Sequence, residues 1–252
     1  MATIHQILFY LHVICGSVGL VIFWLPMLVK KGSDLHVKSG KIFANGMLIV
    51  SISGLLMSAF LLIDPIAVRY PEGGLTAEQA SRVIEQNRNL GIFLLMLSLL
   101  VFVNVRHSVL VLKAKAERTK LKNFNHLSSI MSLFLAGVGV GLLAIDKGNI
   151  LFGIFSMLSI ASAIGLARYI FKAELKPREW IIEHLTNIIG SGIGAYTAFF
   201  AFGGRRILSE IFVGQLQLIP WILPGVIGAI ASYYLANKYR KKYRVIAIEE
   251  TA

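Results

Sequence analysis

Residues 42–63 read IFANGMLIVSISGLLMSAFLLI, a run of 22 residues without a charged side chain. An α-helix rises about 1.5 Å per residue, so this run is long enough to cross the roughly 30 Å hydrocarbon core of a bilayer. Within hydrocarbon the backbone has to satisfy its own hydrogen bonds, which a helix does and a lone strand does not. The stretch therefore predicts a transmembrane helix.

Six further runs of this kind are found along the chain. The 252 residues are 56% hydrophobic and 15% charged, and the mean hydropathy of +0.72 exceeds that of soluble domains with a solvated surface. The first run has no basic start and no small-residue cleavage site, and it is too long for a signal-peptide core. We therefore predict an all-α, polytopic transmembrane helical bundle of seven spans. The other runs are 1–29, 89–105 (extended by 109–112), 127–145, 148–167, 185–204 and 211–237.

Lysine and arginine are distributed unevenly among the connections. When the connections are assigned alternately to two sides, one side holds 19 of the 25 basic residues. Because cytoplasmic connections retain basic residues, this bias predicts an N-terminus outside and a C-terminus in the cytoplasm. It also predicts a single transmembrane domain, 1–237, followed by a basic cytoplasmic tail, 238–252. The six basic residues of the other side are Arg69, Arg82, Arg88, Lys147, Arg205 and Arg206.

The net charge of +12 does not indicate nucleic-acid binding. That function needs a basic face on a soluble domain, whereas here the charges lie between apolar runs. The expected partners are the lipid bilayer and, at the basic tail, anionic lipid. Cys15 is the only cysteine, so neither a disulfide framework nor a cysteine-type zinc site is possible.

Two local patterns predict structure without chemistry. Thr76-Ala77-Glu78-Gln79 has the spacing of a capping box, which predicts a short surface helix within the connection 64–88. Gly137-x-x-x-Gly141 and Gly190-x-x-x-Gly194 each place two glycines one helical turn apart. Such spacing lets helices approach closely, so we expect packing contacts at both pairs.

The histidines carry the strongest functional signal, because ionisable groups near hydrocarbon are costly and tend to face the bundle interior. Four are predicted near the cytoplasmic ends of separate spans, and His12 lies deeper in span one. Imidazoles converging at one depth suit haem b, or a zinc or iron ion for which Glu183 is a further ligand candidate. The alternative is a set of interfacial side chains bonded to headgroups or loop carbonyls. The cofactor-binding candidates are His12, His36, His107, His126 and His184.

A second signal lies on span six, where polar or small side chains recur at helical spacing. Such a stripe either bonds to another helix or lines a cavity. One asparagine in span two and one in span three are candidates to face it. The candidates for lining a substrate site or cavity are Asn45, Asn104, Asn187, Ser191 and Thr197.

Three stretches together resemble a known family. They are Leu11-His12 with Gly16-Ser17-Val18-Gly19, then His36-Val37-Lys38-Ser39-Gly40, and finally His184-Leu185-Thr186-Asn187 with Gly190-Ser191 and Thr197-Ala198-Phe199. They resemble the bacterial membrane proteins grouped as domain of unknown function 2306. That family has a histidine in span one, His-Arg-x-x-Gly at the start of span two, and a late helix running from a histidine to Thr-Ala-Phe.

The resemblance covers most of the chain and departs from the family pattern at Val37, where the family usually has arginine. It implies a multi-span protein of the bacterial inner membrane with His12, His36 and His184 as signature positions. It implies no established reaction. The family therefore adds an expectation about the fold and not one about the chemistry.

Three functions stay open on the sequence. The first is a redox or metal-bearing protein that uses some of the five histidines for haem b or an ion. The second is a transporter or small-molecule binding protein whose span-six stripe lines a cavity and whose histidines couple to protons. An intramembrane hydrolase ranks last, since the chain has neither a His-x-x-x-His pair nor a mid-membrane aspartate. Without a site, a structural or accessory role remains.

Overall fold

The structure is a computed structural model that describes residues 2–204 and 211–245. These residues form α-helices, two short 3₁₀ helices and one π-helical turn, and no β-strand occurs among them. The α-helices are α1 (Ala2–Ile22), α2 (Trp24–Leu28), α3 (Asp34–Ile63), α4 (Pro65–Arg69), α5 (Ala77–Ala114), α6 (Phe124–Lys147), α7 (Ile150–Phe171), α8 (Glu179–Ala198) and α9 (Ile219–Lys242).

Among the described residues, seven helical segments are long and apolar enough to cross a membrane, which confirms the all-α, seven-span prediction. Six of them extend past the charge-free runs at one end or both, because a helix continues into the headgroup region where charged side chains reach water. α9, for example, runs to Lys242, five residues into the predicted tail. The segments are Ala2–Leu28, Asp34–Ile63, Ala77–Ala114, Phe124–Lys147, Ile150–Phe171, Glu179–Gly203 and Gly214–Lys242. Arg205, Arg206 and residues 246–252 lie outside the described residues.

The capping box forms, but the helix it begins is not a separate surface helix. The Thr76 backbone N–H donates to Gln79 Oε1 (3.0 Å), and the Gln79 N–H donates to Thr76 Oγ1 (3.2 Å). The helix that starts at Ala77 then continues to Ala114 without a break. The prediction of a short helix was wrong because nothing between residues 80 and 90 terminates it: there is no proline or glycine there.

We expect the Thr76→Ala variant to fray the start of α5. Losing the cap removes the hydroxyl that satisfies one orphan N–H, which costs about 1 kcal/mol and corresponds to roughly fivefold faster local opening. Hydrogen–deuterium exchange of peptides covering residues 77–82 measures this. Ser81→Ala, an exposed change on the same helix, serves as the control and should leave the exchange unchanged.

Contacts between backbone positions divide the described residues into two units, whose boundaries fall inside five of the helices. Unit 1 comprises residues 2–18, 45–103 and 128–166. Unit 2 comprises residues 19–44, 104–127, 167–204 and 211–245. The 19 basic residues that the charge bias assigns to one side all lie in unit 2.

Unit 1 shows the close packing predicted for the first glycine pair. A Cβ added at Gly141 would lie 2.7 Å from Ser156 Oγ, and one added at Gly137 would meet Ser159 and Ile160. The Ser156 hydroxyl donates to the Gly137 carbonyl (2.7 Å), which ties α6 to α7. Only glycine permits this approach.

Gly190, the first member of the second glycine pair, does not behave as predicted. A Cβ at Gly190 would meet nothing within 4 Å, and Gly190 is exposed. Close approaches in unit 2 occur at Gly192, where the ring of Phe23 occupies the space of a side chain, and at Gly228, where Ile193 does so. Spacing alone does not reveal which face of a helix is packed, and the fold turns Gly192 inward.

Candidate functional site

Three helices of unit 2 bring together His107 of α5, His126 of α6 and Glu183 of α8. The two imidazoles are linked by His107 Nδ1 and His126 Nε2, which are 2.9 Å apart. The other nitrogen of His107, Nε2, lies 3.1 Å from Glu183 Oε1. Glu183, His107 and His126 thus form one hydrogen-bonded chain, which we call the relay.

Local sequence explains why the second imidazole meets the first. Asn123 precedes α6 and accepts the backbone N–H of His126 at its Oδ1 (3.0 Å), which fixes His126 in the first turn. Arg106, the neighbour of His107, donates from Nη1 to the Asn125 carbonyl (2.6 Å). These bonds hold the end of α5 against the start of α6, and the two rings stack with centroids 5.2 Å apart.

Burial differs along the relay. Both histidines are 0% exposed, whereas the Glu183 side chain is 20% exposed. The carboxylate is also held from its own helix, because Asn187 Nδ2 donates to Glu183 Oε1 (3.0 Å) and to the Glu183 carbonyl (2.8 Å). The relay therefore leads from a partly exposed acid to a fully buried imidazole.

The hydrogen bonds determine where the protons lie when Glu183 is ionised and both rings are neutral. A carboxylate only accepts, so His107 carries its proton on Nε2 and donates to Glu183. Nδ1 of His107 is then an acceptor, and His126 must donate from Nε2. The remaining nitrogen, His126 Nδ1, carries a lone pair, and it is buried without a hydrogen-bond partner. The relay thus ends in an unused acceptor.

Tyr169 of α7 is a further polar residue beside the relay. Its ring stands edge-on to His107 with centroids 5.7 Å apart, and its hydroxyl is buried without a hydrogen-bond partner. Arg118 Nε is the third such buried atom among the described residues. All three orphaned atoms belong to unit 2. A buried polar atom without a partner costs about 1–3 kcal/mol, so these three atoms make the surroundings of the relay a candidate functional site.

His184 is paired with Ser108, next to the relay. Ser108 Oγ lies 2.8 Å from His184 Nδ1 and 3.1 Å from the His184 carbonyl. Two consecutive residues of α5 therefore contact two consecutive residues of α8. A serine beside a histidine is also the arrangement of an activated nucleophile, but Ser108 is 0% exposed. Because Ser108 is buried, a substrate cannot reach its hydroxyl. The hydrogen bonds between Ser108 and His184 instead link α5 to α8.

The other two predicted histidines bond to groups that do not titrate. His36 is half-buried, and its Nδ1 lies 3.0 Å from the carbonyl of Pro26 in α2. His12 belongs to unit 1, where its Nδ1 lies 3.0 Å from Ser53 Oγ. The Ser53 hydroxyl is also within 2.8 Å of the Ile49 carbonyl, so it donates there and accepts from His12.

The predicted polar stripe of α8 faces the interior. Asn187, Ser191 and Thr197 are all buried, and Asn187 supports the relay. Asn104 is half-buried in unit 2, whereas Asn45 belongs to unit 1 and is exposed. No group of three or more His, Cys, Asp or Glu side chains within the described ranges is arranged to hold a metal ion.

The sequence predicts His107 and His126 at one depth and offers Glu183 as a further metal ligand, but it does not predict hydrogen bonds among the three. The charge-free run begins only at residue 185. The helix begins at Glu179, which places Glu183 one turn inside it. Tyr169 and Ser108 were missed, and no spacing signal marks either residue.

Comparison of the chain with protein-family models, curated proteins and solved structures gives no match. The function is therefore inferred from the site.

Proposed function

We propose that this multi-span membrane protein is a proton-coupled transporter of a small solute in which the relay takes up and releases the proton. The observation that carries the proposal is a continuous chain of three titratable side chains from three helices, partly exposed at Glu183 and ending in the unused acceptor His126 Nδ1. Ionisable residues inside spans are costly and are typical of proton pathways.

Apart from the incoming proton, the transfer uses only protons that the relay already holds. A proton that binds the lone pair of His126 Nδ1 turns this ring into an imidazolium. The Nε2 proton of His126 then passes to His107 Nδ1, and the Nε2 proton of His107 passes to Glu183, whose carboxylate is neutralised. Transfer in the opposite direction follows the same hydrogen bonds in reverse. Each step breaks one N–H or O–H bond and forms another, so neither an oxidant nor a co-reactant is required.

The sidedness of the relay is part of the proposal. We place unit 2 at the cytoplasmic face of a bacterial inner membrane, with the N-terminus outside. The bias of basic residues supports this orientation, because cytoplasmic connections retain lysine and arginine. Membership of the domain of unknown function 2306 family is likewise proposed, on the three quoted stretches alone. The solute site is proposed beside the buried polar face of α8, where Asn187 already contacts Glu183.

Haem b or a metal ion remains a second proposal, based on the number of histidines in unit 2. The geometry favours the relay, because both ring nitrogens of His107 are already hydrogen-bonded. Of the two stacked rings, His126 alone has a nitrogen available to a metal, at Nδ1.

Nitrogen-15 NMR of histidine-labelled protein in lipid nanodiscs tests the relay. Imidazole nitrogen shifts distinguish protonated from unprotonated sites, so His107 should carry its proton on Nε2 and His126 should be unprotonated at Nδ1. In the Glu183→Gln variant, which keeps the shape of the side chain, the titrations of both histidines should shift together. Titrations of His107 and His126 that are independent of residue 183 would contradict the relay.

Proteoliposomes containing a pH-sensitive dye test the coupling. With mixtures of small solutes outside, the wild-type protein should acidify the lumen in a solute-dependent way. His126→Gln retains a donor at the position of Nε2 but cannot titrate, so we expect the rate to fall at least about tenfold. His5→Gln removes an imidazole from unit 1 and should leave the rate within twofold. Equal rates in all three proteins would refute the proposed coupling.

A further inference from the structure

Lys31 lies in the connection between α2 and α3, and its ammonium group is fixed in place. Nζ donates to the Pro26 carbonyl (2.6 Å) and to the Met27 carbonyl (3.0 Å) at the end of α2. The last carbonyls of a helix lack intrahelical partners and attract cations. Two of the three N–H donors are thereby used, and one remains.

Tyr239, near the end of α9, brings a second ammonium group to the same place. Lys31 Nζ lies 5.8 Å from the centre of the Tyr239 ring, and Lys242 Nζ lies 5.9 Å from it. Tyr243 stacks on Tyr239 with centroids 5.8 Å apart. The two tyrosines pack against a core of Ile182, Ala236 and Val245, so the ring is a rigid platform.

The two ammonium groups are like charges, and no carboxylate within residues 2–204 and 211–245 forms an ion pair with either of them. Burial and the nearby Lys242 charge lower the pKa of Lys31. Other lysines of the protein do have acidic partners, namely Lys120, Lys147 and Lys172. An anion bound near both ammonium groups would offset their mutual repulsion and stabilise this arrangement.

We propose that Lys31 and Lys242, whose ammonium groups both lie close to the Tyr239 ring, form a binding site for a phosphate group. A phosphate offers several acceptor oxygens, so one group can accept from the free donor of Lys31 and from the exposed Lys242 ammonium. The site lies just beyond the end of the span Ala2–Leu28 and at the last residue of the span Gly214–Lys242, which is where phospholipid headgroups lie. The phosphate belongs either to an anionic lipid or to a free phosphate ion.

The test uses the full-length protein purified in a neutral detergent. Native mass spectrometry follows binding of short-chain phosphatidylglycerol, and competition with inorganic phosphate distinguishes the two sources. We expect the Lys31→Gln/Lys242→Gln double variant to bind about tenfold or more weakly, because each cation close to the anion contributes substantially. The matched control is Lys38→Gln/Lys241→Gln, which removes the same charge from two exposed lysines of the same unit and should change affinity less than twofold.

The Lys242→Gln single variant controls for misfolding of the double variant. Lys242 is exposed and makes no hydrogen bond to α2, so this change should leave the fold intact while it weakens binding. If the wild-type protein and the Lys38→Gln/Lys241→Gln control bind phosphatidylglycerol and the Lys31→Gln/Lys242→Gln variant does not, the result supports a lipid phosphate. Binding of inorganic phosphate with the same dependence supports a free ion. Equal losses in the two double variants would show general charge attraction and overturn the site. This outcome is independent of the relay, because neither lysine contacts it.

Discussion

Replacing His107 by alanine should lower the free energy of unfolding by about 3–5 kcal/mol, the cost of removing one partner from a buried hydrogen-bonded pair. His107 is 0% exposed and bonds to both His126 and Glu183. Its loss leaves His126 Nε2 without an acceptor and Glu183 without its imidazole donor. Reversible unfolding in mixed detergent micelles measures the change. His36→Ala, which removes a half-buried histidine whose ring bonds to one carbonyl of α2, should cost about 1 kcal/mol.

A double-mutant cycle separates the pair itself from its surroundings. Replacing both His107 and Glu183 by leucine removes the charge together with its partner, and such paired apolar replacements are often neutral. The double variant should therefore be less destabilised than the sum of the two single variants, by about 1–3 kcal/mol. Additive effects would show that His107 and Glu183 are not energetically coupled, and the relay would lose its first link.

Two glycines two residues apart in α8 should respond to alanine with opposite signs. In Gly192→Ala the new methyl group would overlap the ring of Phe23. Phe23 is itself buried between Trp24, Phe43 and Tyr196, with ring centroids 5.3–6.0 Å away. The ring has little room to withdraw, so we expect a loss of about 1–3 kcal/mol.

Gly190→Ala is the matched control. Nothing lies within 4 Å of the added methyl group, and alanine favours a helix interior over glycine by about 0.5–1 kcal/mol. The variant should therefore be slightly more stable than the wild-type protein. Thermal unfolding of both variants in the same detergent gives the comparison. Equal losses at the two positions would mean that Phe23 does not pack against Gly192.

Much of the architecture is predictable from local sequence. The uncharged run 42–63 and its six counterparts give the spans, because length and apolarity decide membrane insertion before any tertiary contact forms. The spacing Thr76 to Gln79 correctly gives a helix start, since both partners of the capping bonds lie within four residues. The end of that helix is less accessible: α5 reaches Ala114 because no breaking residue stops it near residue 85.

The site shows the limit of the same reasoning. Glu183 and His107 are 76 positions apart, and only the packing of α5 against α8 makes them partners. The prediction that Asn45 faces the stripe of span six has the same limit: Asn187 of the stripe bonds to Glu183, whereas Asn45 is exposed. Helical periodicity predicts which side chains share one face of a helix, but it does not predict which helix packs against that face.

The sequence by itself determined that this protein is helical, spans the membrane seven times and keeps most of its basic residues between particular spans. These properties depend on how each segment partitions between water and hydrocarbon, which is a local free energy. Only the tertiary structure decided that His107 hydrogen-bonds to both His126 and Glu183, and that Gly192 rather than Gly190 lies against an aromatic ring. Those outcomes depend on the relative rotation of packed helices, and residues distant in the chain set that rotation together.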